Sequence, residues 1–165
     1  MTINLPRIAI EAEAQENEDA HDAFWRILDE RLELCFEALM TRIESLRGVK
    51  ASVAPILYTE GAFGVRLKPD DEILELFKNG RSSISLGYIG LHETLLMFGS
   101  GLHPFDRIGS QKLGRLIIEY LRAATEAWKK KTGFGFSLYS TPAESLCHRF
   151  CKLDFEKFGS IKGYG

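Results

Sequence analysis

Between Gly133 and Phe150 the chain reads GFGFSLYSTPAESLCHRF, which gathers the hydroxyls of Ser140, Thr141 and Ser145 and the carboxylate of Glu144 into one short stretch. Phe134, Phe136 and Leu138 alternate with Gly135, Ser137 and Tyr139, so a buried strand is predicted to end near Ser140. A helix is predicted to begin at once, because Thr141 can cap it, Pro142 suits the first helical position, and Glu144 completes a capping box. A strand that turns abruptly into a helix aims the N–H groups of Ala143, Glu144 and Ser145 at the carboxyl edge of a sheet. The positive end of the helix dipole points the same way, and phosphates bind at such edges. The same residues also have a purely structural reading, in which the capping box satisfies those donors itself and the charge of Glu144 competes with any anion. Both readings stand on the local sequence.

Other reactive side chains are weaker candidates. Cys35 falls on the apolar stripe of a long helix, where a cysteine behaves as a small hydrophobe. Cys147 and Cys151 stand one turn apart, with His148 between them. Read with Leu146 and Phe150 as one apolar face, and with no second cysteine pair, they do not form a zinc motif. His92 and Glu93 open another helix as a conceivable acid–base pair, but neither has a second partner in the local sequence, and a solvated first turn accounts for them. His103, before Pro104, is placed in a loop. No metal ligand set is assigned.

The elements that must position these groups alternate between strand and helix. TINLPRIAI at 2–10 reads as a strand with Pro6 at a bulge or unpaired edge. An acidic loop leads to Asp19 as a cap for a long amphipathic helix over about 20–47, whose apolar face is broad enough to need cover on more than one side. Pro69, Asp70 and Asp71 start a short helix to about Lys78, stopped by Asn79 and Gly80, and the spacing leaves room for a short strand around Ile56 to Tyr58. Ile84 and Leu86 lie in a second buried strand that breaks at Gly87 and Gly90 into a helix. A second long helix covers 110–131, with Lys129 to Lys131 complementing the dipole at its end. Strands at about 2–10, 83–88 and 134–140, each followed by helix, predict a parallel α/β arrangement with crossover connections.

Composition narrows the classes. With 165 residues, 45% hydrophobic and 27% charged, the chain is sized for one domain with a real core. A formal charge of −2 and a pI near 6.1 give no positive field for nucleic acid or an anionic membrane. No apolar run approaches the ~20 residues that span a bilayer, and no signal peptide opens the chain, so a cytoplasmic protein is expected. Three cysteines without framework spacing fit reduced thiols. A chain that enters a strand one residue after Met1 reads as a piece of something longer.

NLPRIAI at 4–10, SLGYIGLHE at 85–93, APILY with GAFG within 54–64, and above all GFSLYSTPAESLCHRFCKLDFEKFG at 135–159 carry a family likeness. Over essentially its whole length the chain resembles the anaerobic, oxygen-sensitive class III ribonucleoside-triphosphate reductases, which are glycyl-radical enzymes. The resemblance implies α/β fold, a partial ten-stranded barrel of parallel strands with long crossover helices, and places residues 1–165 as a single segment from the middle of the catalytic barrel domain. It implies a parent oxidoreductase that reduces ribonucleoside triphosphates to deoxyribonucleoside triphosphates by glycyl and thiyl radical chemistry. Implied with the parent are ATP and dNTP effectors, zinc in its C-terminal part, a radical-SAM activating enzyme and a homodimer.

Residue by residue, the likeness reaches two places. Asn4 matches the asparagine of the NLPR segment, as a polar group hydrogen-bonding the ribose near a radical cysteine. Ser140, Thr141, Ala143, Glu144 and Ser145 match the STPAES segment that cradles substrate phosphates. Cys35, Cys147 and Cys151 match none of the family's radical or zinc cysteines, and the ending KGYG departs from the family's usual continuation. The expectation is an inactive segment that carries part of the triphosphate-binding wall and exposes strand edges prone to self-association. Two alternatives of another class are a free-standing nucleotide- or phosphate-binding remnant and a structural half-barrel without catalysis.

Overall fold

The computed structural model describes residues 1–62, 64–78, 82–98, 108–161 and 164. The chain opens on β1 (Thr2–Asn4) and passes directly into helix α1 (Leu5–Glu13). This corrects the strand expected over 2–10. Pro6 falls in the first helical turn, where its missing N–H costs nothing and its fixed φ is already helical. Asn4 is the N-cap, its side chain accepting a hydrogen bond from the Arg7 N–H at 3.3 Å. Leu5, Ile8, Ala9 and Ala12 are all buried at three- and four-residue spacing, a helical stripe that the alternation of Ile3 with Leu5 and of Ile8 with Ile10 conceals in the sequence.

Asp19 caps α2 (Ala20–Glu44) as expected, accepting from the N–H groups of His21 at 2.9 Å and Asp22 at 3.4 Å. Phe24, Ile27, Leu28, Leu32, Cys35, Leu39 and Ile43 form its buried stripe. Leu34 remains 55% exposed, so the wide apolar face keeps an uncovered flank. The connection to the second strand contains two 3-10 turns, Ala51–Val53 and Ile73–Phe77, and the short helix α3 (Pro55–Tyr58). Ile56 to Tyr58 are therefore helical, not the short strand allowed by spacing, with Pro55 pre-setting the first turn. The helix expected to begin at Pro69 shrinks to the 3-10 turn because Asp71 turns its carboxylate back onto the Lys68 N–H at 2.8 Å, a local turn that competes with helix initiation. The stop at Asn79 and Gly80, and His103, lie outside the described residues.

Strand β2 (Ser83–Ile89) leads through Gly90 into α4 (Leu91–Phe98). Helix α5 (Ile108–Thr132) leads through Gly133 into β3 (Gly135–Ser140), which precedes α6 (Glu144–Phe158). The three strands form one parallel sheet in the order β1-β2-β3, with Thr2 opposite Gly87, Asn4 opposite Ile89, Gly87 opposite Tyr139 and Tyr88 opposite Ser140. Helix α1 packs against α2 and α4, and α5 packs against β3. Phe24, Leu28, Leu86, Ile117, Leu121 and Phe136 fill the core between them, and Trp128 of α5 meets Phe136 of β3 edge-on at 5.5 Å. The parallel α/β arrangement is as the sequence predicts, and all three strands end on the same edge of the sheet.

Candidate functional site

The carboxyl edge is where Asn4, Ile89 and Ser140 end their strands. Just beyond it the Thr141 N–H donates to the Tyr88 carbonyl at 3.0 Å, extending the pairing one residue past β3. The Thr141 hydroxyl then lies 3.2 Å from the hydroxyl of Thr2, across β2. They meet over Gly87, whose missing side chain leaves the space they occupy: a Cβ there would stand 2.2 Å from Thr141 Oγ1 and 2.8 Å from Thr2 Oγ1. A second close approach follows at Gly90, at φ 78°, where a Cβ would fall 2.3 Å from Pro6 Cγ.

The capping box expected at Thr141 and Glu144 does not form. The N-cap of α6 is Ala143, no side chain caps the helix, and the Thr141 hydroxyl is directed to Thr2 instead. The Ala143 N–H is taken by the Thr141 carbonyl at 3.1 Å. Glu144 and Ser145 occupy the first two helical positions, where a helix supplies no carbonyl partner of its own, and both are exposed. The structural reading, in which Thr141 closes the helix start, is therefore removed, and an uncapped N-terminus faces solvent beside two paired hydroxyls.

Asn4 lies on the same edge and is held from both ends. Its Oδ1 accepts from the Arg7 N–H, and its Nδ2 donates to Asp154 Oδ2 at 2.8 Å. Asp154 is fully buried, and Tyr164 donates its phenol to the same oxygen at 2.6 Å. Arg7 closes on Asp154 Oδ1 through Nε and a terminal guanidinium nitrogen, and stacks over the Phe158 ring at 5.1 Å. Burial first, and then the hydrogen bond to Asp154, hold the Tyr164 phenol well above its ordinary pKa.

Sequence reading missed this cluster, although one signal was present. Leu146, Phe150 and Asp154 recur every four residues on α6, so an acid stands on the helix's apolar stripe. Tyr164 gave no signal, being a lone aromatic in the tail GSIKGYG.

Two cavities flank the edge. One, of about 470 Å³, is lined by Pro6, Gly90, His92, Cys151 and Tyr164 among others. The other, of about 680 Å³ and mostly apolar, lies between α4 and α5 and reaches Ser140. Cys147 is exposed and Cys151 half-buried, a correction to the apolar face expected to hold both, and Asp154 is the one buried residue of α6. Cys35 is buried, and burial pushes its thiol up. Among the described residues no three His, Cys, Asp or Glu side chains are placed to hold a metal ion, and no helix is long and apolar enough to cross a membrane.

Parallel strands, each followed by a helix, make this a segment of an α/β barrel. The family model for anaerobic ribonucleoside-triphosphate reductase matches residues 1–164, and the chain belongs to that family. It is 58% identical over 163 residues to the anaerobic ribonucleoside-triphosphate reductase of Salmonella typhimurium, covering 99% of this chain and 22% of that protein. Against the enzyme of the same name from Enterobacteria phage T4 it is 58% identical over 164 residues, covering 98% and 25%. The Escherichia coli K12 enzyme of that name is 56% identical over 163 residues, 99% of this chain and 22% of its own length. Among solved structures, the anaerobic ribonucleotide reductase from Thermotoga maritima with citrate in the active site superposes with a TM-score of 0.72 at 21% identity, over 96% of this chain and 26% of that one. The chain thus spans between 22% and 25% of the length of these curated relatives.

Proposed function

We propose that residues 1–165 form one segment of the catalytic barrel domain of a ribonucleoside-triphosphate reductase and supply part of the wall that binds the substrate triphosphate. The observation that carries this reading is the uncapped start of α6, set at the carboxyl edge beside the Thr2 and Thr141 hydroxyls. Whichever hydroxyl donates to the other, the pair keeps one proton to offer outward. Ser145 adds a third hydroxyl, and the N–H groups of Glu144 and Ser145 add backbone donors in the positive field of the helix. Ser140 and Ala143 contribute by holding the turn: Ser140 ends β3 opposite Tyr88, and Ala143 bonds back to Thr141. The carboxylate of Glu144 sets a limit, since its charge must swing aside for an anion to approach.

Asn4 serves the ribose side of the same wall. One Nδ2 proton is committed to Asp154, and the amide also meets the Tyr164 phenol, which must give way for a sugar hydroxyl to take the second proton. The chemistry belongs to the whole reductase, a cytoplasmic homodimer regulated by ATP and dNTPs and activated by a radical-SAM enzyme. When present, its glycyl radical supplies the hydrogen-abstracting thiyl radical. The zinc implied for the family belongs to the C-terminal part of the parent, and no zinc role is assigned to this segment. No step is assigned to Cys35, Cys147 or Cys151.

Titration calorimetry of this chain with each ribonucleoside triphosphate tests the wall. Thr141→Ala and Ser145→Ala are each expected to weaken binding by roughly ten- to a hundredfold, the loss of one hydrogen bond to a charged group. Binding that both variants leave unchanged would remove the phosphate assignment. Turnover by residues 1–165 alone would contradict the segment reading.

A further inference from the structure

We propose that Asp154 is a positioning residue for Asn4, an inference that rests on the reading of Asn4 as a substrate-facing group. Asp154 is the one buried side chain of α6, and it is charged. Taking a carboxylate out of water costs several kcal/mol before pairing, so a buried carboxylate with its partners is weak evidence of a purely stabilising role. What an apolar residue cannot do is direct hydrogen bonds.

The two oxygens of Asp154 divide their work. Oδ1 receives the Arg7 guanidinium, which the Phe158 ring holds from its other face. Oδ2 receives Asn4 Nδ2 at 2.8 Å and the Tyr164 phenol at 2.6 Å. Arg7 also acts through its backbone, donating its N–H to Asn4 Oδ1 at 3.3 Å. The Asn4 carboxamide is thereby fixed at both ends, its carbonyl at the start of α1 and one amide proton on Asp154. The direction of the remaining amide proton follows from amide planarity. A terminal amide torsion is broad, so without Asp154 only the 3.3 Å bond from the Arg7 N–H to Oδ1 restrains the Asn4 carboxamide, and its amide end loses its direction. Asp154 is fully buried and bonds to Asn4, Arg7 and Tyr164 among the described residues, so its route to a substrate runs through Asn4.

A double-mutant cycle in the whole reductase that carries this segment, read as kcat for CTP reduction alongside thermal unfolding, tests the inference. Asn4→Ala and Asp154→Asn are each expected to lower kcat by roughly tenfold to a hundredfold, and the double variant to fall within about threefold of Asn4→Ala alone. If Asp154→Asn does not fold, Arg7→Lys, which keeps the charge but loses the planar fork, is expected to give a smaller loss that also vanishes in the Asn4→Ala background. Losses that multiply, or an impaired Asn4→Ala beside an unimpaired Asp154→Asn, overturn the positioning role while leaving the Asn4 reading intact. An Asn4→Ala enzyme with unchanged kcat overturns the Asn4 reading itself, and the positioning role with it.

Discussion

Replacing Gly87 by alanine should disturb the candidate site directly, and the structure gives the size of the effect. Gly87 sits in the middle strand between Thr2 and Tyr139, and its backbone is not left-handed. Alanine in an unstrained strand would on conformational entropy alone be favoured by ~0.5–1 kcal/mol. Against that stand contacts of the new Cβ at 2.2 Å to Thr141 Oγ1, 2.8 Å to Thr2 Oγ1 and 3.2 Å to Tyr139 Cε1. The first two are closer than any tolerated Cβ contact, so the threonine hydroxyls must separate and the turn into α6 must shift. Overpacking of this kind costs ~1–3 kcal/mol, and the broken Thr2–Thr141 hydrogen bond costs ~1 kcal/mol more. The net is a destabilisation of about 1–3 kcal/mol, or a Tm lower by roughly 3–10 °C for a chain of this size. Urea unfolding followed by Trp25 and Trp128 fluorescence measures it. Thr141→Ala removes the closest clash, so the cost of Gly87→Ala should shrink in that background instead of adding. A Gly87→Ala protein as stable as the parent, or strictly additive costs, would show that the hydroxyl pair does not fix the start of α6.

Two further outcomes follow from buried groups. The pKa of Tyr164 is raised above its ordinary value near 10 by burial and by its bond to Asp154. A raised folded-state pKa means that its contribution to stability is complete below about pH 10 and is lost as pH rises beyond it. Urea midpoints between roughly pH 8 and 11 should therefore fall more steeply for the parent than for Tyr164→Phe, and parallel slopes would exclude Tyr164 as the source. Alkylation by iodoacetamide near pH 8, mapped by peptide mass spectrometry, should modify exposed Cys147 first, half-buried Cys151 next and Cys35 last, because burial both hides Cys35 and suppresses its thiolate. Early labelling of Cys35 would mean that α2 lifts from the core in the folded state.

What could be read from the sequence was local or familial. Period-two alternation marked β2 and β3, three- and four-residue spacing marked α2 and α5, and Asp19 marked a helix start, because in each case the signal and its structural consequence lie within one or two turns of chain. The motifs around NLPR, SLGYIGLHE and STPAES pointed to the family that the chain belongs to. The errors came where a local pattern had two physical solutions. Ile3, Leu5, Ile8 and Ile10 suit a strand, but Pro6 with Asn4 as its cap suits a helix start, and the packing of α1 against α2 and α4 selects the helix. Thr141 and Glu144 have the spacing of a capping box, but β1 brings the Thr2 hydroxyl within 3.2 Å of Thr141, and the hydroxyl goes there. Asp154 is the extreme case, since its partners Arg7 and Asn4 lie 147 and 150 residues away along the chain. A helix face announces that something will be buried, whereas which donors meet a buried carboxylate is settled only when the sheet brings the two ends of the chain together.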